Sequence, residues 1–134
     1  SRGNSKTMDS FAIYKDVVKD VKNELYKQIE IAISKGIKKD KIIIDPGIGF
    51  AKNNYQNLTL LRNLEEFVSM NYQLLIGASR KRFIGSVINE SDPTKRIFGT
   101  AAVASRCVIA GVDFLRVHDI KQISQVIIMT KSII

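Results

Sequence analysis

The sequence has little of several residues that commonly reveal a protein's class. One cysteine and one histidine among 134 residues exclude an internal disulfide and a zinc site built from these two residue types. No apolar run approaches the roughly 18 residues that span a bilayer, and the opening Ser-Arg-Gly-Asn is too polar to begin a secretory signal. The glycine spacings of a P-loop and of a dinucleotide fingerprint are absent. We therefore expect a cytosolic protein without a membrane partner.

Composition and charge are those of an ordinary domain with one core. The chain is 45% hydrophobic and 25% charged, which argues against disorder. A net charge of +8 favours anionic ligands but does not separate nucleic acid from phosphorylated metabolites. Many lysines surround the first predicted helix, where solvated lysines are the usual arrangement. The single cysteine, Cys107, lies in an Ala/Val-rich helical stretch, which indicates a buried structural thiol rather than a reactive one.

Helical spacing of apolar residues alternates with short apolar runs along the chain. The predicted helices are residues 13–33, 57–68, 83–88, 93–110 and 120–134. Their predicted caps are Gly36, Asn57, Asp92, Gly111 and Asp119. One domain is the economical interpretation, because no linker or repeat interrupts this pattern.

Three short apolar runs predict strands at residues 42–44, 72–77 and 113–117. Their order among the helices, and their lack of polar alternation, indicate a parallel sheet covered on both sides. Three strands alone make a poor sheet, so the chain is expected to be part of a larger α/β fold, either a barrel or an open doubly wound sheet. In both folds, ligands gather at the carboxyl ends of the strands.

The most informative run is DPGIGF at residues 45–50, directly after the first predicted strand. A buried Asp45 carboxylate there could accept the N–H and NH2 groups of a pterin or guanine edge with both oxygens. The alternative is an aspartate that caps its own turn. Gly47 and Gly49 permit close backbone approach to a flat ligand, and Phe50 could contact that ligand or belong to the core.

Cations follow the other two predicted strands. Lys81 comes after small residues at a predicted helix start, whose free N–H groups attract a carboxylate or phosphate. Arg80 and Arg82 flank it, and solvated surface charge is their alternative role. Arg116 and His118, two residues apart on a strand, face the same side and could bind one group of ligand oxygens. A structural role is the alternative for His118.

Four runs, taken in order, resemble the C-terminal part of the dihydropteroate synthase family. They are DPGIGF at 45–50, SRK at 79–81, GTAA at 99–102 and RVHD at 116–119. The resemblance spans essentially the whole chain. It implies an α/β fold of the (β/α)8 TIM barrel type, in which residues 1–134 hold strands six to eight with their helices and the N-terminal half is absent. The first four residues would leave strand five.

The resemblance implies a transferase of folate biosynthesis. This family joins 6-hydroxymethyl-7,8-dihydropterin diphosphate to p-aminobenzoate, which gives 7,8-dihydropteroate and diphosphate, and sulfonamides mimic p-aminobenzoate. By position, the pterin would be bound by Asp45, Gly77 and Lys81. The p-aminobenzoate pocket would be bordered by Phe50, Arg80 and Arg82. The diphosphate would be bound by Arg116 and His118, which with Lys81 make up the catalytic set.

The resemblance also implies Mg2+ beside the diphosphate, with its protein ligand in the absent N-terminal part and no metal ligand in this chain. We therefore expect no turnover from this chain alone. Two positions depart from the family pattern: Arg82 stands where many relatives carry Ser, and Ala51 replaces a frequent Gly.

Other partners and functions are weighed against this interpretation. A homodimer is expected, with the closing helix and Ile133-Ile134 either at the subunit contact or packed on the barrel, and an upstream pterin pyrophosphokinase could be fused. One alternative function is a related pterin-binding barrel such as a methyltetrahydrofolate-corrinoid methyltransferase. Another is a non-catalytic basic domain that binds nucleic acid. Four Tyr and six Phe, mostly in apolar helical positions, leave little for base stacking, so no nucleic-acid partner is expected.

Overall fold

The computed structural model describes residues 12–134. The helices are α1 (Val17–Ser34), α2 (Asn54–Arg62), α3 (Leu64–Val68), α4 (Arg82–Ile88), α5 (Ile97–Ala110) and α6 (Ile120–Ser132). The strands are β1 (Ile43–Ile44), β2 (Gln73–Ile76) and β3 (Phe114–Leu115). Short 3-10 turns occupy Lys39–Lys41 and Pro93–Lys95. The predicted order of helices and strands is confirmed except that the single helix predicted at 57–68 is two helices, α2 and α3. The predicted leaving segment of residues 1–4 lies outside the described residues.

The three strands form one parallel sheet in the order β1-β2-β3. Ile43 pairs with Gln73, and Leu75 pairs with Phe114. The Arg116 amide extends the second pairing by donating to the Ile76 carbonyl at 3.0 Å. The predicted α/β class with a parallel sheet is therefore confirmed.

One face of the sheet is buried and the other is open. Ile44, Leu74 and Ile76 are at most 3% exposed and belong to the main core. On the other side, Ile43 is 48% exposed and Phe114 is 41% exposed. Within residues 12–134 the sheet is thus covered on one side only, which differs from the expectation of two covered faces. We call the second side the open face; its residues are Ile43, Gln73, Leu75 and Phe114.

The core lies between the buried face and the helices. Leu60, Leu64, Phe67 and Cys107, from α2, α3 and α5, are all fully buried. Burial also raises the pKa of the Cys107 thiol to about 12, so the thiol stays protonated and unreactive at neutral pH. The prediction of a structural cysteine is confirmed. No helix in the described part of the chain has the length and apolar character needed to cross a membrane.

Several predicted helix ends agree with the structure. Gly36 and Gly111 follow α1 and α5 with φ angles of 88° and 84°, the left-handed conformation that glycine adopts without a Cβ penalty. At the start of α1, the Asp16 carboxylate accepts from the amides of Val18 and Lys19, both at 3.1 Å. The predicted start at Ile13 was wrong, since α1 begins at Val17.

Two predicted helix starts were also wrong. Asn53, not Asn57, caps α2, and its side chain and that of Gln56 form a reciprocal capping box. Asp92 caps the 3-10 turn Pro93–Lys95 instead of a long helix, and α5 begins separately at Ile97. Arg96 lies at this break, between the 3-10 turn and α5.

Candidate active site

The carboxyl ends of β1, β2 and β3 lie side by side at one edge of the sheet, since all three strands are parallel. Asp45, Gly77 and Arg116 each follow the end of one strand. Each also lies two residues beyond a residue of the open face, and side chains two apart on extended chain share a face. The sheet therefore directs these three positions to one rim, which we call the strand-end rim.

A tight turn follows β1 and carries Asp45. The Asp45 carboxylate accepts a hydrogen bond from the Gly47 amide at 2.8 Å through Oδ1, and the Phe50 amide donates to the Gly47 carbonyl at 3.0 Å. Asp45 is exposed, so the expectation of a buried carboxylate was wrong. The turn-capping role weighed as the alternative is present, and among residues 12–134 no hydrogen bond is found to the second oxygen, Oδ2.

Lys52 holds this turn from the inside. Its ammonium donates to the carbonyls of Gly47 at 3.0 Å and Phe50 at 2.9 Å, and the residue is only 7% exposed. It also lies 5.8 Å from the centroid of the Tyr14 ring. Buried carbonyls need donors, and here a lysine supplies them. This role of Lys52 was not predicted from the sequence.

Asn57 holds the next part of the same loop. Its Oδ1 accepts from the Gly49 amide at 2.6 Å, and its Nδ2 donates to the Asn53 carbonyl at 2.9 Å. Asn57 is buried inside α2. Gly49 has a φ angle of 80° and Ala51 one of 49°, so the loop contains left-handed residues, one of which is not glycine. The side chain predicted to cap a helix therefore fixes a glycine turn instead.

Lys81 directly precedes α4, and its side chain crosses the loop after β1. It occupies the N-cap position of α4, its ammonium donates to the Ile48 carbonyl, and it lies 4.0 Å from the centroid of the Phe50 ring. A Cβ at Gly49 would come within 2.5 Å of the Lys81 Cδ atom. A side chain at position 49 would therefore displace the lysine stem, and Phe50 contacts a cation rather than packing wholly in the core.

The surroundings of Lys81 lower its pKa. The pKa falls from 10.5 to about 8, chiefly because burial disfavours the charged ammonium. The Asp45 carboxylate acts in the opposite direction, while the positive charge of Arg116 lowers the pKa further. Asp45 and Arg116 therefore both lie within electrostatic reach of Lys81, although the three residues are far apart in the chain.

Arg80 is bound to Asp119 across the rim. Its Nη2 lies 2.5 Å from Asp119 Oδ1 and its Nε lies 3.0 Å from Oδ2, a bidentate pair. This pair raises the pKa of Arg80 and lowers that of Asp119. Asp119 stands at the N-cap position of α6 but makes no side-chain cap bond, so the prediction that its carboxylate caps the helix was wrong.

The backbone of Arg80 is fixed separately from its side chain. Arg80 has a φ angle of 59°, its amide donates to Thr100 Oγ1 at 3.1 Å, and its carbonyl accepts from Arg96 Nη1 at 2.9 Å. Arg96, only 7% exposed, also donates to the carbonyls of Glu90 at 2.9 Å and Ser91 at 2.7 Å. Arg96 therefore joins the loop before α4 to the loop after it, a role that was not predicted from the sequence.

Arg82 occupies a different position from its neighbour. It is the first residue of α4 and is exposed, and Arg80 lies before α4 and is bound to Asp119. The structure thus separates two arginines that their sequence positions had grouped together.

Arg116 and His118 complete the rim. A Cβ at Gly77 would lie 3.0 Å from Arg116 Nη2 and 3.2 Å from its Nε, so the guanidinium lies across the backbone of Gly77. His118 is held by Ser79, whose Oγ lies 2.9 Å from His118 Nδ1 and accepts from the His118 amide at 3.2 Å. Both Arg116 and His118 are exposed and can meet a ligand.

The four side chains predicted to converge lie on the segments that follow β1, β2 and β3 at the strand-end rim. Lys81 lies within electrostatic reach of both Asp45 and Arg116, and His118 follows Arg116 after the end of β3. One carboxylate and three nitrogen-bearing side chains thus meet at one edge. Such a site can bind a ligand that combines a hydrogen-bond-donating ring edge with an anionic group.

The rim does not offer a cluster of metal ligands. Within residues 12–134, no group of three or more His, Cys, Asp or Glu side chains could hold a metal ion. The expected Mg2+, with its protein ligand in the absent N-terminal part, stays a prediction.

Comparison with known proteins identifies the family. The model of the pterin binding enzymes matches residues 1–118. The chain belongs to the pterin binding enzyme family. A dihydropteroate synthase of Synechocystis sp. is 41% identical over 125 residues, which cover 93% of this chain and 43% of that protein. The chain thus spans less than half the length of this relative.

Solved structures agree with the family assignment. Dihydropteroate synthase from Thermus thermophilus in complex with 6HMPPP has a TM-score of 0.91 and 38% identity, and the match covers 96% of this chain and 51% of that one. Yersinia pestis dihydropteroate synthase in a sulfonamide drug complex has a TM-score of 0.94 and 32% identity, with 98% and 48% covered. The chain therefore shares the fold of about half of each structure.

Proposed function

We propose that this chain is the C-terminal part of a dihydropteroate synthase, a transferase of folate biosynthesis. The whole enzyme would join 6-hydroxymethyl-7,8-dihydropterin diphosphate to p-aminobenzoate and release diphosphate. The observation that carries this proposal is the meeting of Asp45, Lys81 and Arg116 at one strand-end rim. Its support is the similarity to dihydropteroate synthases over nearly the whole chain.

The open face of the sheet supports a (β/α)8 barrel. In such barrels one side of each strand packs against side chains from other strands in the interior. Ile43, Leu75 and Phe114 would belong to that interior, with β1, β2 and β3 as strands six, seven and eight. The absent N-terminal half would supply the strands that cover them.

The pterin would lie against Asp45, Gly77 and Lys81. The Asp45 carboxylate would accept from the amino group and ring N–H of the pterin, using the oxygen that the Gly47 amide does not occupy. The Lys81 ammonium would donate to the pterin carbonyl. Gly77 has no side chain, which leaves room for the Arg116 guanidinium across its backbone and would bring that cation beside the ring.

The p-aminobenzoate would lie near Phe50 and the start of α4. Arg82 is exposed at the first position of that helix, whereas the guanidinium of Arg80 is held by Asp119. Phe50, Arg80 and Arg82 would together border the aminobenzoate pocket, with Arg82 in the place where many relatives use Ser. The Thermus thermophilus protein has also been solved in complex with 4-aminobenzoate, and sulfonamides would compete at this place.

The leaving diphosphate would meet Arg116 and His118. As the bond between the methylene carbon and diphosphate breaks, negative charge grows on the leaving group while positive charge spreads into the electron-rich pterin. The Arg116 guanidinium and a His118 N–H would stabilise the negative charge on the leaving group. The Asp45 carboxylate would stabilise the positive charge in the pterin. The p-aminobenzoate nitrogen then forms the new bond to carbon and loses a proton, and holding both substrates in place supplies much of the acceleration.

The other expectations for the whole enzyme stay predictions. The expected Mg2+ would need ligands from the diphosphate and from residues outside 12–134. The homodimer, the fused upstream pterin pyrophosphokinase and the cytosolic location stay sequence-based predictions. Neither the methyltransferase alternative nor the nucleic-acid alternative is favoured by an observation on this chain.

Calorimetry on the full-length protein tests the assignments. We expect Asp45→Asn to weaken binding of the pterin diphosphate about tenfold to hundredfold, as loss of a charged hydrogen bond does, and to leave inorganic diphosphate affinity unchanged. Arg116→Ala should weaken inorganic diphosphate binding by a similar factor.

Lys19→Met, which removes an exposed charge on α1, is the matched control and should change neither affinity. Equal affinities in all four proteins, or stronger binding of RNA than of pterin, would overturn the proposal.

A further inference from the structure

Ser79 has no role in the proposed function so far, yet its hydroxyl makes two contacts to one residue. It accepts from the backbone amide of His118 at 3.2 Å and lies 2.9 Å from the imidazole Nδ1. Ser79 is only 7% exposed. The contacts span 39 positions in the chain, so they are specified by the fold rather than by local sequence.

The proton inventory of these groups decides the tautomer of His118. The His118 amide can only donate, so the Ser79 oxygen must accept there. The Ser79 hydroxyl has one proton, and a buried hydroxyl proton needs an acceptor. Among residues 12–134, Nδ1 of His118 is the hydrogen-bond partner found for it. In the neutral imidazole Nδ1 is therefore the acceptor, and the ring proton is on Nε2.

We infer that Ser79 is a positioning residue that holds neutral His118 as the Nε2–H tautomer and fixes the orientation of its ring. His118 is exposed, and Nε2 makes no hydrogen bond to the residues that the structure describes. The fixed tautomer thus presents a donor, rather than a lone pair, to the ligand side of the rim. A donor is what a diphosphate oxygen requires, whereas a lone pair would repel it.

This inference rests on the proposed function only for the identity of the ligand. The tautomer follows from the two contacts together with the need of the buried Ser79 hydroxyl proton for an acceptor. If the imidazole becomes protonated, the Ser79 oxygen can accept from Nδ1–H as well as from the amide, so the ring orientation is kept in both charge states. Ser79 would therefore act on diphosphate binding through His118, without touching the ligand.

Nitrogen-15 NMR of the imidazole in the full-length protein tests the tautomer directly. The signals of His118 are assigned by their loss in His118→Gln. We expect the Nε2–H pattern in the wild type and a mixture of the two tautomers in Ser79→Ala. An Nδ1–H pattern in the wild type, or an unchanged pattern in Ser79→Ala, overturns the inference.

The effect of Ser79 on ligand binding is measured with inorganic diphosphate as the probe. We expect Ser79→Ala to weaken its binding roughly fivefold to tenfold, the usual worth of one hydrogen bond. Ser79→Thr keeps the hydroxyl and should restore both tautomer and affinity. Ser86→Ala is the matched control, since Ser86 is exposed on α4 and its hydroxyl donates to the Arg82 carbonyl. This variant should change neither the His118 tautomer nor the diphosphate affinity.

The NMR pattern tests the positioning role of Ser79, and the diphosphate affinity tests the identity of the ligand. Loss of the Nε2–H tautomer in Ser79→Ala with no diphosphate binding in any variant upholds the positioning role and removes diphosphate as the ligand. If Ser79→Thr fails to fold, the contrast between Ser79→Ala and Ser86→Ala decides the matter.

Discussion

Two groups of lysines in this molecule have the same charge and opposite surroundings. Lys19 and Lys27, on α1, are exposed, and Lys22 pairs with Glu66 at 2.7 Å, a carboxylate that is 56% exposed. At the strand-end rim, Lys52 is 7% exposed, and Lys81 is buried enough for its pKa to fall to about 8. The net charge of the chain counts both groups equally.

The two groups of lysines differ in whether water or protein atoms surround the ammonium. An exposed lysine is surrounded by water, and its interactions are weak and screened. A buried lysine needs protein partners, because unsatisfied polar groups are costly away from water. Lys52 and Lys81 find those partners in the carbonyls of one glycine-rich loop. The basic character of α1 thus carries little information on function, while the two rim lysines determine the shape of the site.

Removal of the buried ammonium tests this contrast most strongly. Lys52→Met should lower the free energy of unfolding of the full-length protein by about 1–3 kcal/mol, because the carbonyls of Gly47 and Phe50 lose their donor while they stay partly buried. Chemical denaturation measures this change. Pterin affinity should fall as well, since the Asp45 turn is then free to move.

Lys19→Met is the matched control for that measurement. It removes the same charge from an exposed site, so we expect no more than about 0.5 kcal/mol of change. Equal losses in the two variants would show that burial does not distinguish the two groups of lysines.

The features that the sequence predicted are those set by local chemistry. Glycine marks left-handed caps at positions 36 and 111, since other residues rarely adopt that conformation. The short apolar runs specify strands, and their order among helices specifies a parallel sheet. Lys81 at a helix start follows from its position after a strand. The predicted site residues are therefore found at one rim.

The features that the sequence did not predict depend on distant partners. Nothing in the local sequence distinguishes Lys52 from the solvated lysines, because its partners become available only when the loop closes over it. Asn57 resembles a cap by its position, yet its oxygen binds Gly49. Arg96 lies where the predicted long helix breaks, and its guanidinium binds three carbonyls that flank α4. Likewise, the Asp119 carboxylate pairs with Arg80 instead of capping α6.

The lowered pKa of Lys81 gives a pH dependence with opposite signs for binding and stability. Its folded-state pKa of about 8 lies below the ordinary 10.5, so the folded protein loses this proton first. Pterin affinity should fall as pH rises through 8, by at most about tenfold per pH unit. Between pH 8 and 10.5 the unfolded chain binds more protons, so the contribution of Lys81 to stability rises with pH.

Calorimetric titrations and denaturation curves across pH 7 to 10 check both signs, with Lys81→Met as the reference protein. Both pH trends should disappear in that variant, and Lys19→Met should retain them. Pterin affinity that rises above pH 8 would contradict the assigned role of the ammonium.

The smallest effect is expected for an ion pair, where the rim and α1 again offer a matched comparison. Asp119→Asn removes one charge from the bidentate, part-buried pair with Arg80, and Glu66→Gln removes one from the monodentate pair with Lys22. A bidentate pair has fixed geometry, whereas an exposed single contact contributes little. We expect Asp119→Asn to lower the melting temperature of the full-length protein modestly, and Glu66→Gln to leave it within error.

Because Arg80 directly precedes Lys81, Asp119→Asn should also loosen the start of α4 and raise the KM for p-aminobenzoate. An ion pair at the rim would then be coupled to function, unlike the pair on α1. Equal melting temperatures and equal KM values for the two variants would mean that the Arg80–Asp119 pair is no more than another solvated contact.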